Sequence, residues 1–364
     1  MKSYKLLTPG PLTTSPTVKE QMLFDRCTWD DEYKQITQKI RRQILEIGAV
    51  SPLQYTTVLL QGSGSFGVEA VLTTAISPSD KCLIITNGAY GERMVMMADY
   101  LGIRHTVYRV DCDRIPDSEV VRKILENDPD ISHIAMVHCE TTTGILNPLE
   151  AIAAIACEYS KRFIVDAMSS FGGIEIKVQQ LEIDYLISSA NKCIQGVPGF
   201  CFVVSKIKSL KCSQGNSKSL VLDLYDQWAH MDQEGKWRFT SPTHAVAAFS
   251  QALDELAAEG GVSVRTKRYQ ENNRLLRRKL QQLGMKAYIA EDVQSPIITT
   301  FLFPDEKFDF KDFYHYVKER GFVLYPGKLT DVDSFRIGNI GEIYEADIHK
   351  LCAIIEAYLR RAKS

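Results

Sequence analysis

Three stretches carry residues whose types could do chemistry together. In "ISSANKCIQGVPGF" (187–200), Lys192 stands in a short passage between two apolar, strand-like runs. In "FIVDAMSSFGG" (163–173), Asp166 sits at the carboxyl end of another such run. In "QGSGSFGVEAVLTTAI" (61–76), Gly62, Gly64 and Gly67 follow a strand-like run and open a helical pattern, with Ser63 and Ser65 between them. Glycines let a backbone close on a phosphate, and a helix N-terminus supplies unpaired N–H groups and a favourable dipole.

The glycine spacing also fits a nicotinamide dinucleotide site, which needs an acidic residue about 20 positions on, at the end of the next strand. That strand reads "LIITNGAYG" (83–91), with no acid between Lys81 and Tyr90. A phosphate cradle, a strand-end carboxylate and a sequestered lysine match instead the needs of pyridoxal 5'-phosphate. The lysine forms a Schiff base with its aldehyde, and the carboxylate keeps its pyridine nitrogen protonated. A lysine whose pKa falls on desolvation also serves as a proton shuttle. Each part has a plainer reading: a helix N-cap for Asp166, a snorkelling side chain for Lys192, a tight turn for the loop. Three more residues fit the cofactor reading. Tyr90 could stack on a pyridine ring. Thr141, in "HCETTTGILNP", could reach the ring's phenolic oxygen. Arg336, in "SFRIGNIG", offers a planar fork for a carboxylate or phosphonate. Their plain readings are core packing, a threonine-stabilised turn and a surface ion pair.

Apolar runs at 55–61, 81–87, 105–110, 133–139, 162–167, 184–190 and 199–205 alternate with helical spacings such as "VEAVLTTAI" and "LEAIAAIACEYSK". Such alternation predicts an α/β fold with a mostly parallel sheet covered on both faces, and ligands at the strands' carboxyl edge. Residues 1–16 read as an extended arm, because the prolines of "TPGP" bias their predecessors away from helix. Residues 17–255 form the large α/β domain. Beyond it, 256–364 reads as a smaller α+β domain closed by a helix with Ile348, Leu351, Cys352, Ile355 and Leu359 on one face.

The totals exclude several classes. Forty-three basic residues against 45 acidic give a net charge of −2, so neither nucleic acid nor an anionic membrane is an expected partner. The nine cysteines form no CxxC pair or Cys/His cluster, so no metal site or disulfide framework is expected. The start lacks an apolar core of about 7–15 residues, and no apolar span of about 18 residues occurs. A cytoplasmic protein is expected.

The segments "LLTPGPLTTS", "MLFDRCTWDDEY", "VLLQGSG", "VEAVL", "VDAMSSFGG", "SSANKCIQGVPGF" and "FRIGNIG" together resemble the 2-aminoethylphosphonate–pyruvate transaminases, a family in the class V branch of fold-type I pyridoxal phosphate enzymes. The resemblance runs from about Leu6 to Ile343. It implies that Lys192 carries the cofactor and Asp166 pairs its ring nitrogen. Ser63, Gly64 and Ser65 would hold the phosphate, Tyr90 would stack, and Thr141 would approach the phenolic oxygen. Thr240, in "WRFTSPTH", is similar to the threonine that class V enzymes lend to a neighbouring subunit's phosphate, so the resemblance implies a homodimer with shared sites. Asn191 before the lysine, where a cysteine desulfurase has histidine, argues against that chemistry. Arg26 and Cys27 receive no role.

The implied reaction is a ping-pong transfer of the amine from 2-aminoethylphosphonate to pyruvate, giving phosphonoacetaldehyde and L-alanine. Arg336 would face the phosphonate in one half and the carboxylate in the other. The rivals are a related transaminase using alanine, serine or phosphoserine with glyoxylate or another oxoacid, a nicotinamide-dependent dehydrogenase, and a non-catalytic relative that binds a partner.

Overall fold

The computed structural model describes residues 4–329 and 331–363; the first three residues of the expected arm, Thr330 and Ser364 lie outside them. Seven strands form the central sheet: β1 (Tyr55–Gln61), β2 (Cys82–Thr86), β3 (His105–Arg109), β4 (His133–Val137), β5 (Arg162–Asp166), β6 (Tyr185–Ser189) and β7 (Phe200–Lys206). Their spatial order is β1-β7-β6-β5-β4-β2-β3. Every residue of β2, β4 and β6 is buried, as expected of strands covered on both faces, which read as continuous apolar runs. At the sheet edge β3 is only half-buried.

The helices include α1 (Asp31–Ile47), α2 (Gly64–Ala75), α3 (Ala89–Leu101), α4 (Ser118–Asn127), α5 (Leu149–Glu158), α6 (Leu224–Glu234), α7 (Thr243–Glu259) and α8 (Gly261–Gln282). Crossovers through α3, α4 and α5 make β2, β3, β4 and β5 run parallel to one another, and β6 continues beside β5. β7 departs from the parallel expectation. It pairs antiparallel with both β6 and β1, because the 190–199 loop is too short for the crossover that a parallel neighbour needs. The carboxyl ends of β1, β2, β4, β5 and β6 therefore share one edge, and the turn after β6 holds Lys192.

Two apolar clusters dominate the interior. One runs from Val18 to Leu256 around the large sheet. The other gathers Leu7 with residues from Leu275 to Tyr358, around β8 (Ile298–Leu302), β9 (Tyr325–Pro326), β10 (Ser334–Gly338), α9 (Phe310–Glu319) and α10 (Glu345–Lys363). These three strands are antiparallel in the order β8-β10-β9. The expected apolar face of α10 is present: Ile348, Leu351, Cys352 and Ile355 are buried, with Leu359 packed beside them. Near the N-terminus, Lys5–Leu6 pairs in parallel with Phe322–Val323, and a short helix starts at Pro16. A third cluster, with Leu12, Cys193, Tyr269 and Ile340, joins arm, large sheet and small sheet directly beneath the Lys192 turn.

Candidate active site

Ser63, Gly64, Ser65, Tyr90, Asp166 and Lys192 line one cleft at the carboxyl edge of the sheet. The three separated stretches thus converge as their residue types require.

Lys192 does not snorkel into water. It is half-buried, and its Nζ donates to the carbonyl of Pro9 at 3.2 Å, with the Gly10 carbonyl at 3.5 Å. Burial lowers its ammonium pKa, opposed by the charges of Tyr90, Cys193 and Asp166. The turn beneath it is clamped from the small lobe. Arg265 on α8 donates to the carbonyl of Cys193 at 3.0 Å, and the Tyr269 hydroxyl donates to the same oxygen at 3.3 Å. Gln195 donates to that hydroxyl at 2.7 Å, while Glu259 holds the Arg265 guanidinium at 2.7 Å. The arm forms the other wall. At Gly10, with φ +121°, a β-carbon would lie 2.6 Å from Lys192 Cδ and 2.7 Å from the Asn191 carbonyl, so this position admits only glycine.

Asp166 ends β5 and is buried. Its Oδ1 accepts the N–H of Met168 at 2.9 Å, an Asx turn rather than a helix N-cap. Burial first, then the Glu140 charge, raises its pKa to about 6, against the Met168 hydrogen bond and the charges of Lys192 and Arg93. A carboxylate has about four acceptor sites, so capacity remains for a protonated ring nitrogen in the cleft. The residues present therefore fit pyridoxal phosphate.

The phosphate end of that fit is the start of α2. Ser63 precedes the helix and makes no side-chain capping bond. Ser65 Oγ accepts from Arg93 Nη1 at 3.2 Å. A β-carbon at Gly64 would sit 2.1 Å from Met168 Sδ, so the helix start and the Asp166 turn are packed as one unit.

Tyr90, in the first turn of α3, is the hub of the remaining residues. Arg93 and Lys328 lie over its ring, with centroid distances of 4.9 and 4.0 Å. Burial raises its phenol pKa, but Lys328, Lys192, the Thr141 hydrogen bond and Arg336 together hold it below the ordinary value. Thr141 is buried and reaches the site through that bond. Arg336 is buried too, not a surface ion pair. Its Nη1 donates to the Thr141 carbonyl at 2.8 Å and its Nε to the Pro326 carbonyl at 3.0 Å, leaving further N–H groups of the fork for a ligand.

Glu140 fixes this corner and was not foreseen. Fully buried, it accepts the N–H groups of Tyr90 at 3.0 Å and Gly91 at 3.2 Å on Oε2. On Oε1 it accepts the N–H and hydroxyl of Thr142 at 3.0 and 2.6 Å. A glutamine there would set an NH₂ group against donors. Glu140→Gln is expected to cost about 2 kcal/mol or more of stability and to weaken cofactor binding by freeing Tyr90. Thermal melts and cofactor titration check this, and an unchanged variant would refute it.

Thr240 is exposed and lies outside this cleft. Arg26 donates to the carbonyls of Gln21 and Phe24, a local bracing of its own segment. Sequence reasoning also missed Arg93, Met168 and Lys328; Glu140 alone left a signal, a charge inside a strand-end run. No group of metal-ligating side chains occurs among the described residues, and no described helix is long and apolar enough to cross a membrane.

A parallel-centred sheet presenting a lysine, an aspartate and a helix N-terminus at one edge defines a fold-type I pyridoxal phosphate enzyme. Residues 27–333 match the family Aminotransferase class-V. A 2-aminoethylphosphonate–pyruvate transaminase of Lysinibacillus sphaericus is 60% identical over 99% of this chain and 98% of its own length. One of Salmonella typhimurium is 57% identical, with 97% of each covered. Among solved structures, the ureidoglycine–glyoxylate aminotransferase of Bacillus subtilis superposes with a TM-score of 0.91 at 21% identity, covering 100% of this chain and 95% of that one. The alanine–glyoxylate aminotransferase of Nostoc sp. does so at 0.91 and 24%, covering 99% and 96%. The chain belongs to the class V aminotransferase family, and these two solved structures share its fold.

Proposed function

We propose that the chain transfers the amine of 2-aminoethylphosphonate to pyruvate, yielding phosphonoacetaldehyde and L-alanine. The observation that carries this reading is 57–60% identity to transaminases of that name over nearly the whole chain, joined to a complete lysine–aspartate–helix cleft. When bound, pyridoxal 5'-phosphate supplies the aldehyde that takes the amine and the ring that accepts the electron pair of the deprotonated carbon.

The chain's own residues do the rest. The α2 amides with Ser63, Gly64 and Ser65 hold the phosphate. Asp166 would pair with the ring nitrogen and keep it protonated, and Tyr90 and Thr141 would hold the ring at its face and its phenolic oxygen. Lys192 would hold the cofactor through its amine. Then, free, it takes the proton from the donor's amine-bearing carbon and returns it as an acid. Burial lowers its pKa, which eases loss of the proton that this role requires. Arg336 binds the phosphonate in one half-reaction and the pyruvate carboxylate in the other.

The working unit in this reading is a homodimer, with Thr240 serving the partner's phosphate. Leu23, Phe24, Trp29, Phe66 and Phe239 are exposed apolar side chains, the last two beside the glycine loop and Thr240 in sequence, and each is suited to burial against a partner. The separate apolar clusters support the division into arm 1–16, large domain 17–255 and small domain 256–364. Nine free cysteines suit a reducing cytoplasm.

The test is the product. Purified protein with the cofactor, 2-aminoethylphosphonate and pyruvate is expected to form L-alanine and phosphonoacetaldehyde in equal amounts. Alanine formation only from serine, or transfer only to glyoxylate, would overturn the substrate assignment.

A further inference from the structure

We propose that Lys328 determines donor specificity: with Arg336 it forms a two-cation receptor for the phosphonate dianion. This rests on the reaction proposed above and adds a residue that the motifs do not reveal. Lys328 is delivered by a braced segment. Tyr325 pairs with Arg336 across β9 and β10, the Gly327 N–H donates to the Ser334 carbonyl at 3.0 Å, and Arg336 Nε holds the Pro326 carbonyl at 3.0 Å. The Lys328 stem starts just past this brace, and its Nζ rests 4.0 Å from the centroid of Tyr90, a wall of the cleft that holds Lys192.

The charges in this corner are unequal. Glu140 is engaged by four donors from the Tyr90–Gly91 and Thr142 positions, and Asp166 faces the ring nitrogen. Arg93 also lines the cleft but donates to Ser65 at the phosphate end, and Lys192 serves the reacting carbon, which leaves Lys328 and Arg336 as the cations for the acid end of a substrate. A carboxylate is planar and singly charged, so one guanidinium fork satisfies it. A phosphonate resembles a phosphate, with three oxygens in a tetrahedral array and a charge of about −1.5 to −2 at pH 7. Its third oxygen leaves the plane of the fork, where a compact ammonium on a flexible stem suits it better than a second fork. A cation resting on an aromatic ring is weakly held beside a charge-assisted hydrogen bond. Lys328 can thus leave Tyr90 for a dianion and stay on the ring when pyruvate binds. One pocket then serves two acids of different charge.

The experiment compares wild type, Lys328→Met and Lys328→Arg as holoenzymes, following each half-reaction by cofactor absorbance and measuring competition by methylphosphonate and by acetate. Lys328→Met is expected to raise the concentration needed for half-saturation by 2-aminoethylphosphonate at least about tenfold more than that for L-alanine. It should weaken methylphosphonate far more than acetate, and Lys328→Arg, which keeps the charge but not the compact ammonium, should restore part of the difference. Equal losses for both acids, or none, would overturn the role of Lys328. The parent reading fails separately, if the wild-type enzyme itself does not turn over 2-aminoethylphosphonate.

Discussion

Lys192→Ala is expected to lower turnover of 2-aminoethylphosphonate with pyruvate by about 10³-fold or more, since positioned acid–base groups contribute roughly 10²–10⁴-fold and the covalent anchor is lost with them. The protein should still fold, because the turn is held through the Cys193 carbonyl by Arg265 and Tyr269 rather than by the lysine side chain. Lys192→Arg sharpens the reading. It keeps a cation beside the Pro9 and Gly10 carbonyls, but a guanidinium does not give up its proton, so it should be as inactive as alanine. Turnover by either variant above about a tenth of wild type would remove Lys192 from the reaction.

Asp166→Asn is the second large effect, and it moves activity and stability in opposite directions. An amide of the same shape no longer holds the ring nitrogen protonated. Turnover should fall by about 10²–10³-fold, as when other preorganised electrostatic partners are removed. Without cofactor, burial pushes the Asp166 carboxyl up to about 6 from its ordinary value of 3.8. Because the folded-state pKa is the higher one, this group's contribution to stability is present below about pH 4 and lost as pH rises through about 6. The loss amounts to about 3 kcal/mol at most. Cofactor-free Asp166→Asn should therefore be more stable than wild type at pH 7.5 and little different at pH 3.5. Denaturant unfolding at the two pH values checks this, and a variant less stable at pH 7.5 would contradict the account of Asp166 as a strained, destabilised carboxylate.

Much of this was legible in the sequence, for physical reasons that differ by residue. Strands covered on both faces are continuous apolar runs, so β2, β4 and β6 are visible without a structure, and residues just past their ends share an edge by topology. That is why Asp166, Lys192, Tyr90 and the Ser63–Ser65 loop fall into one cleft as expected. The direction of β7 follows from connection length, not composition, which is how a parallel reading passes over it. Gly10 looks like part of an extended proline arm; its contact with Lys192 arises only when the arm folds back across half the chain. Glu140 and Lys328 act through backbone amides and an aromatic face, partners that no spacing encodes. The role expected of Thr240 in a neighbouring subunit rests on the family resemblance alone, and its exposure in the single chain carries no sign of it.

The central claim is that Lys192, of all the lysines in the chain, bears the cofactor. Reconstitution with pyridoxal 5'-phosphate, borohydride reduction and peptide mass spectrometry tests it most directly. One stoichiometric cofactor adduct is expected on the peptide containing Lys192, absent when Lys192 is alanine. A stoichiometric adduct on any other lysine, or none on a protein that has bound the cofactor, would contradict it.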